Sequence, residues 1–111
     1  MLQQDLRRLA LQTSGEGFTD LTAALNREIS ASGLQRGVAT LVALHTSCSL
    51  TINENADPRV LQDLAAYLQG LVPQHSVQSL AADRATYVYR HDDEGPDDMP
   101  AHIRTALTCT S

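Results

Sequence analysis

His45-Thr46-Ser47-Cys48-Ser49-Leu50-Thr51-Ile52-Asn53-Glu54-Asn55-Ala56-Asp57-Pro58 is where the chain changes its hydrophobic period. Cys48, Leu50 and Ile52 alternate with Ser49, Thr51 and Asn53, which predicts a strand with one apolar face and one hydroxyl–amide face. Asp57 followed by Pro58 predicts a helix N-cap with proline at the first helical position. Val60, Leu61, Leu64, Leu68 and Leu71 then fall on one helical stripe, ended by Gly70 and Pro73. These fourteen residues hold an imidazole, a thiol, four hydroxyls, two amides and two carboxylates. Polar groups that dense are costly to bury without partners. A strand-to-helix junction is also a place where a rigid scaffold positions chemistry.

Working outward, Gly37 opens Val38-Ala39-Thr40-Leu41-Val42-Ala43-Leu44, an apolar run that suits a strand buried on both faces. Upstream, Leu6, Leu9 and Leu11 suggest a first strand across residues 3–12, and 13–17 read as a turn. Phe18, Leu21, Leu25 and Ile29 are spaced for one helix face, with Thr19 or Asp20 as N-cap and Gly33 as the stop. Downstream, residues 74–84 read as a loop and Tyr87-Val88-Tyr89 as a short strand. Asp98 with Pro100 repeats the cap-then-proline pattern before a short helix over 101–107. About four strands and three helices make an α+β fold, a sheet covered on one face by helices.

The chain has 111 residues, of which 42% are hydrophobic, so one globular domain over 1–111 is expected. No apolar run approaches the ~20 residues of a membrane helix, and no basic-then-apolar leader opens the chain. The expected setting is the cytoplasm, with no membrane partner. The net charge is -5 and the basic residues, all Arg, are dispersed, which argues against a nucleic-acid surface. Cys48 and Cys109 make no disulfide framework and read as free thiols.

The acids are clustered: Asp92, Asp93, Glu94, Asp97 and Asp98 fall within seven residues, flanked by His91 and His102. An ordinary solvated loop and a cation-facing loop are both open readings of this pattern. Three histidines, His45, His91 and His102, are candidate ligands, because neutral imidazole is the commonest ligand for a borderline cation. No tight His-x-x-x-His or Cys-x-x-Cys spacing supports them. His75 lies in the weakly patterned loop and is left out. Glu54 is a candidate general acid–base group, and Asn53 a group that orients it or the substrate. Hydroxyls such as Ser47 suit a phosphate, although hydroxyls on a solvated strand face are common. No Gly-x-Ser-x-Gly elbow or Gly-rich phosphate loop is present.

Taken whole, residues 45–58 resemble the signature of the YjbQ family, His-Thr-Thr-x-x-Leu-Thr-Ile-Asn-Glu-Asn. Tyr89-Arg90-His91, then Glu94-Gly95-Pro96-Asp97-Asp98-Met99-Pro100-Ala101-His102-Ile103, resembles the family's second block, and Phe18-Thr19-Asp20-Leu21-Thr22 agrees as well. The resemblance implies a mainly antiparallel α+β sandwich covered by helices, assembling as a homotrimer. It implies a polar pocket built from His45, Asn53, Glu54, His91 and His102. The resemblance also suggests thiamine-phosphate synthase-like chemistry, in which a phosphorylated thiazole is joined to a pyrimidine pyrophosphate.

On this reading His45 and Glu54 are catalytic, and Asn53, Ser47 and Asp98 bind the substrate. His45, His91 and His102 hold a divalent metal, zinc or magnesium, or meet the phosphate directly. Two alternatives stay open: a non-catalytic module for a phosphorylated metabolite, and a structural subunit of a trimer. Family members are expected to continue past the Ser111 position with further strands, including Gly-Thr-Trp-Gln. This chain contains no Trp, so its last strands are expected to be lacking and a sheet edge left open.

Overall fold

A computed structural model describes residues 1–78 and 83–109. Its contacts group the chain into two compact units, Met1–Leu41 and Val42–Ser111. In the first unit, α1 spans Thr22–Ser32. The Asp20 carboxylate accepts the Thr22 backbone N–H at 2.9 Å, and Thr22 holds the Asp20 carboxyl below the usual carboxylate range. Gly33 ends the helix at φ 72°, a left-handed conformation that a Cβ would strain. Arg7 bridges Asp5 and Glu28 at 2.9 and 3.0 Å, tying the irregular N-terminal stretch to α1.

In the second unit, α2 spans Pro58–Leu71, and its start follows the expected chemistry. Asp57 accepts the Arg59 backbone N–H at 2.9 Å, and Pro58 takes a position whose N–H needs no intrahelical partner. The Arg59 side chain, then its backbone N–H, hold the Asp57 carboxyl below the usual range. Val60, Leu61, Leu64 and Leu68 are half-buried along one stripe. Among the described residues, Val72, just past α2, and Pro100 in α3 are buried.

The described residues form one β-ladder, an antiparallel hairpin of β1 (Ser76–Gln78) and β2 (Thr86–Val88) with Val77 opposite Tyr87. β2 matches the expected short strand, whereas β1 lies in the stretch read as a loop. Its three residues lack an alternation long enough to register. A last helix, α3, runs over Asp98–Thr108. Its N-cap is Asp97, not Asp98, and the Asp97 carboxylate accepts from Gln74 at 2.7 Å instead of capping. Asp98 is thereby the first helical residue, with its side chain free for other work. Arg104 donates to the Val72 carbonyl at 3.0 Å and ties the end of α2 to α3.

The strands expected over 3–12, 38–44 and 48–53 are not formed; these residues carry no regular structure. Alternation reports which faces need covering, but a strand also needs a neighbour for its N–H and C=O groups. No described residue supplies that neighbour, and Val38, Val42, Leu44 and Ile52 stand exposed. Three helices and a two-stranded antiparallel sheet make an α+β structure. No helix among the described residues is long and apolar enough to cross a membrane.

Candidate functional site

His91 leaves the end of the hairpin. The ladder gains one more bond where the Tyr89 N–H donates to the His75 carbonyl at 3.1 Å, which fixes where the chain departs. Residues 92–97 then turn back, with Gly95 at φ 121°, a conformation open only to glycine. Its N–H donates to the Asp92 carbonyl at 3.2 Å. The turn delivers Asp98 to the start of α3, and the four-residue helical spacing sets His102 on the same face as Asp98.

Asp98 sits between two imidazoles. His91 Nε2 lies 2.7 Å from its Oδ2, and His102 Nε2 lies 3.3 Å from its Oδ1. The two rings meet edge to face with centroids 5.2 Å apart. Asp98 is only 15% exposed, whereas His91 is open to solvent. One ligand atom from each of the three residues lies within 4.8 Å of the others.

The hydrogen bonding sets the protons. The other ring nitrogen of His102, Nδ1, is 3.1 Å from the Thr46 carbonyl. A carbonyl only accepts, so Nδ1 carries hydrogen and the lone pair of a neutral ring is at Nε2, facing Asp98. A lone pair pointed at a carboxylate is repelled unless a proton or a cation lies between them. Asp98 Oδ2 tells the same story. It is buried and finds no hydrogen-bond donor among the described residues, although His91 Nε2 is close. The 2.7 Å approach therefore has the length of an ion pair without hydrogen-bond alignment.

Two imidazole nitrogens and one carboxylate oxygen form a set that suits a borderline divalent ion and leaves positions open. Magnesium, which prefers an all-oxygen shell, fits it poorly. Asp92, Asp93, Glu94 and Asp97 flank the group, so the surroundings favour a cation over a free anion.

The other expected residues sit elsewhere. His45 is outside the three-residue group; its Nδ1 accepts from the Ser47 backbone N–H at 3.1 Å, with the Ser47 hydroxyl 2.9 Å away. A backbone N–H cannot give up its proton, so Nδ1 stays an acceptor and Nε2 of neutral His45 is the donor. Asn53 is half-buried and Glu54 exposed, and no described hydrogen bond or ion pair joins either to His91, Asp98 or His102. Asp98, expected to bind substrate, stands at the centre of the group. Its Asp-x-x-x-His spacing is a local signal, since four residues on a helix put both side chains on one face. His75 lines a concavity of about 80 Å³ beside the site with Gln74, Tyr89, His91 and Met99. Nothing in the local sequence marks it, since the hairpin brings it there.

Comparison with known proteins places the chain. The family described as UPF0047 protein YjbQ-like matches residues 7–111. UPF0047 protein sll1880 of Synechocystis sp. is 43% identical over 103 residues, 93% of this chain and 63% of the relative. UPF0047 protein YjbQ of Salmonella typhimurium is 34% identical, covering 91% and 66%. Its counterpart in Escherichia coli O157:H7 is 35% identical over 106 residues, 95% and 69%. The chain thus spans about two thirds of the length of these curated relatives. No solved structure matches. With the family match running over residues 7–111, nearly all of its length, the chain belongs to the YjbQ-like UPF0047 family.

Proposed function

We propose that His91, Asp98 and His102 hold a divalent cation, zinc in preference to magnesium, and that the site takes a phosphorylated small molecule through that cation. The convergence of the three side chains carries this reading. The buried Asp98 Oδ2, which accepts no hydrogen bond, and the inward lone pair of His102 are both suited to a cation. A phosphate meeting the histidines directly would face Asp98 and the acids of the 92–98 turn, so the cation is required first. When bound, the ion supplies charge neutralisation for a phosphate or a departing pyrophosphate. His45, held as an Nε2–H donor by Ser47, is suited to give a hydrogen bond or proton to an oxygen. Glu54 is the acid–base group, with Asn53 and Ser47 contributing to substrate binding. The family resemblance extends the reading to thiamine-phosphate synthase-like transfer in a homotrimer.

Two measurements test it. Calorimetric titration of metal-stripped protein with zinc is expected to show one site per chain, lost in His91→Ala and His102→Ala; no zinc binding overturns the metal claim. A steady-state assay for thiamine phosphate from the two phosphorylated precursors is expected to depend on zinc and to collapse in Glu54→Gln. Zinc-dependent ligand binding without turnover would reduce the protein to a binding module.

A further inference from the structure

The His102 lone pair faces Asp98 only while the Thr46 carbonyl holds the other ring nitrogen. What holds Thr46? Residues 45–53 form no helix or strand, so nothing in regular secondary structure fixes that carbonyl. Three residues later the segment is attached to α3 a second time. The Ser49 hydroxyl lies 2.7 Å from the Thr108 hydroxyl, in the last turn of the helix. The direction of this bond follows from counting protons. Thr108 donates its single hydroxyl hydrogen to the Arg104 carbonyl at 2.7 Å, so towards Ser49 it only accepts. Ser49 is the donor, and a three-member chain runs from Ser49 through Thr108 to Arg104.

His102 and Thr108 are six residues apart, about 9 Å along a helix at ~1.5 Å per residue. Thr46 and Ser49 are three residues apart, and Thr46 and Ser47 lie in a turn. The segment is therefore tied to α3 at two points three residues apart, which leaves the Thr46 carbonyl little freedom to swing away.

We infer that the Ser49–Thr108 hydroxyl pair is a clasp that positions the Thr46 carbonyl and thereby sets the tautomer of His102. Ser49 and Thr108 touch neither cation nor substrate; they are positioning residues. Their effect on metal affinity rests on the cation reading above, but their effect on the His102 proton does not. Outer partners of a ligating histidine are commonly worth about 10- to 100-fold in metal affinity. Ser49 acts through one such partner, so about 10-fold is expected.

The experiment is nitrogen NMR of the imidazoles in the metal-free full chain at about pH 8, where free imidazole is neutral, followed by zinc titration. Wild type is expected to show His102 protonated at Nδ1. Ser49→Ala and Thr108→Val are expected to shift His102 toward a mixture of tautomers and to raise the zinc Kd about 10-fold. Ser49→Thr, which keeps the hydroxyl, is expected to restore the Nδ1–H form. A His102 spectrum identical in wild type, Ser49→Ala and Thr108→Val overturns the clasp, as does a shift that Ser49→Thr fails to reverse. A protein that binds no zinc yet shows the reversible tautomer shift refutes the cation reading and leaves the clasp standing. Amide spectra of the same samples identify any variant that fails to fold. For such a variant the gentler Thr108→Ser exchange is used, and an unchanged His102 in a folded Thr108→Ser beside a shifted Ser49→Ala supports the clasp.

Discussion

Asp98→Asn is the most discriminating single change, because it removes one charge while keeping the shape. A carboxylate oxygen binds zinc at about 2.1 Å. At that distance a dication and a single negative charge attract by about 4 kcal/mol even at the dielectric constant of water. Asp98 is 15% exposed, so screening there is weaker than in bulk and this charge contribution is a lower bound. Asparagine still offers a carbonyl oxygen, which recovers part of the loss. At ~1.4 kcal/mol per decade, the zinc Kd should rise by about 100- to 1,000-fold. Asp93→Asn provides the control. It removes the same formal charge from the same acidic turn, at an exposed residue outside the group, where salt screens the effect to about threefold or less. Calorimetric zinc titration of wild type and both variants at about 0.15 M salt reads the comparison. A Kd for Asp98→Asn within about threefold of wild type, or equal losses in the two variants, would refute the idea that Asp98 is a ligand.

Four further outcomes are expected. Gly95→Ala meets no atom within 4 Å of its new Cβ, yet φ 121° is closed to alanine, so a conformational cost of about 1–3 kcal/mol should appear in thermal unfolding, with weaker zinc binding. Gly33→Ala at φ 72° should cost about 1–2 kcal/mol and leave zinc binding unchanged. The Asp57 carboxyl is held below its usual range by Arg59, so its contribution to α2 is present above the unfolded value near 3.9 and lost as pH falls through the lower folded value. Protection from amide exchange at Arg59 and Val60 should fall across that acid window in wild type, whereas in Asp57→Ala it should already be lost at neutral pH and show no such step. Cys48 and Cys109 are both exposed, so a thiol-reactive chromogen should titrate both in the native protein; slow reaction of either would contradict their placement.

The helices were legible because their signals are local. Asp57-Pro58 and Gly33 each act through bonds or dihedral angles within a few residues, and they do in the structure what their chemistry predicts. The strands were not, because alternation along 48–53 describes faces and says nothing about the neighbour that must complete the ladder. β1 escaped for the opposite reason: three residues paired through a hairpin leave almost no pattern in the sequence.

The site divides along the same line. His91 and His102 could be nominated from their chemistry, but their meeting depends on the Gly95 turn and on α3 beginning one residue earlier than a capping Asp98 would place it. That single residue decides the role of Asp98. As a cap its carboxylate would be spent on a backbone N–H of α3; as the first helical residue it faces His102 one turn ahead. Asp97 takes the cap position and gives its carboxylate to Gln74 instead, so α3 starts with no side-chain cap bond. The missing cap bond costs the helix start stability that a bonded carboxylate would supply. In exchange, the fold keeps a buried carboxylate between two imidazoles with one oxygen left without a hydrogen-bond donor. A helix start without a side-chain cap bond and a buried carboxylate oxygen without a donor are together hard to explain by stability, and they are what the proposed cation site calls for.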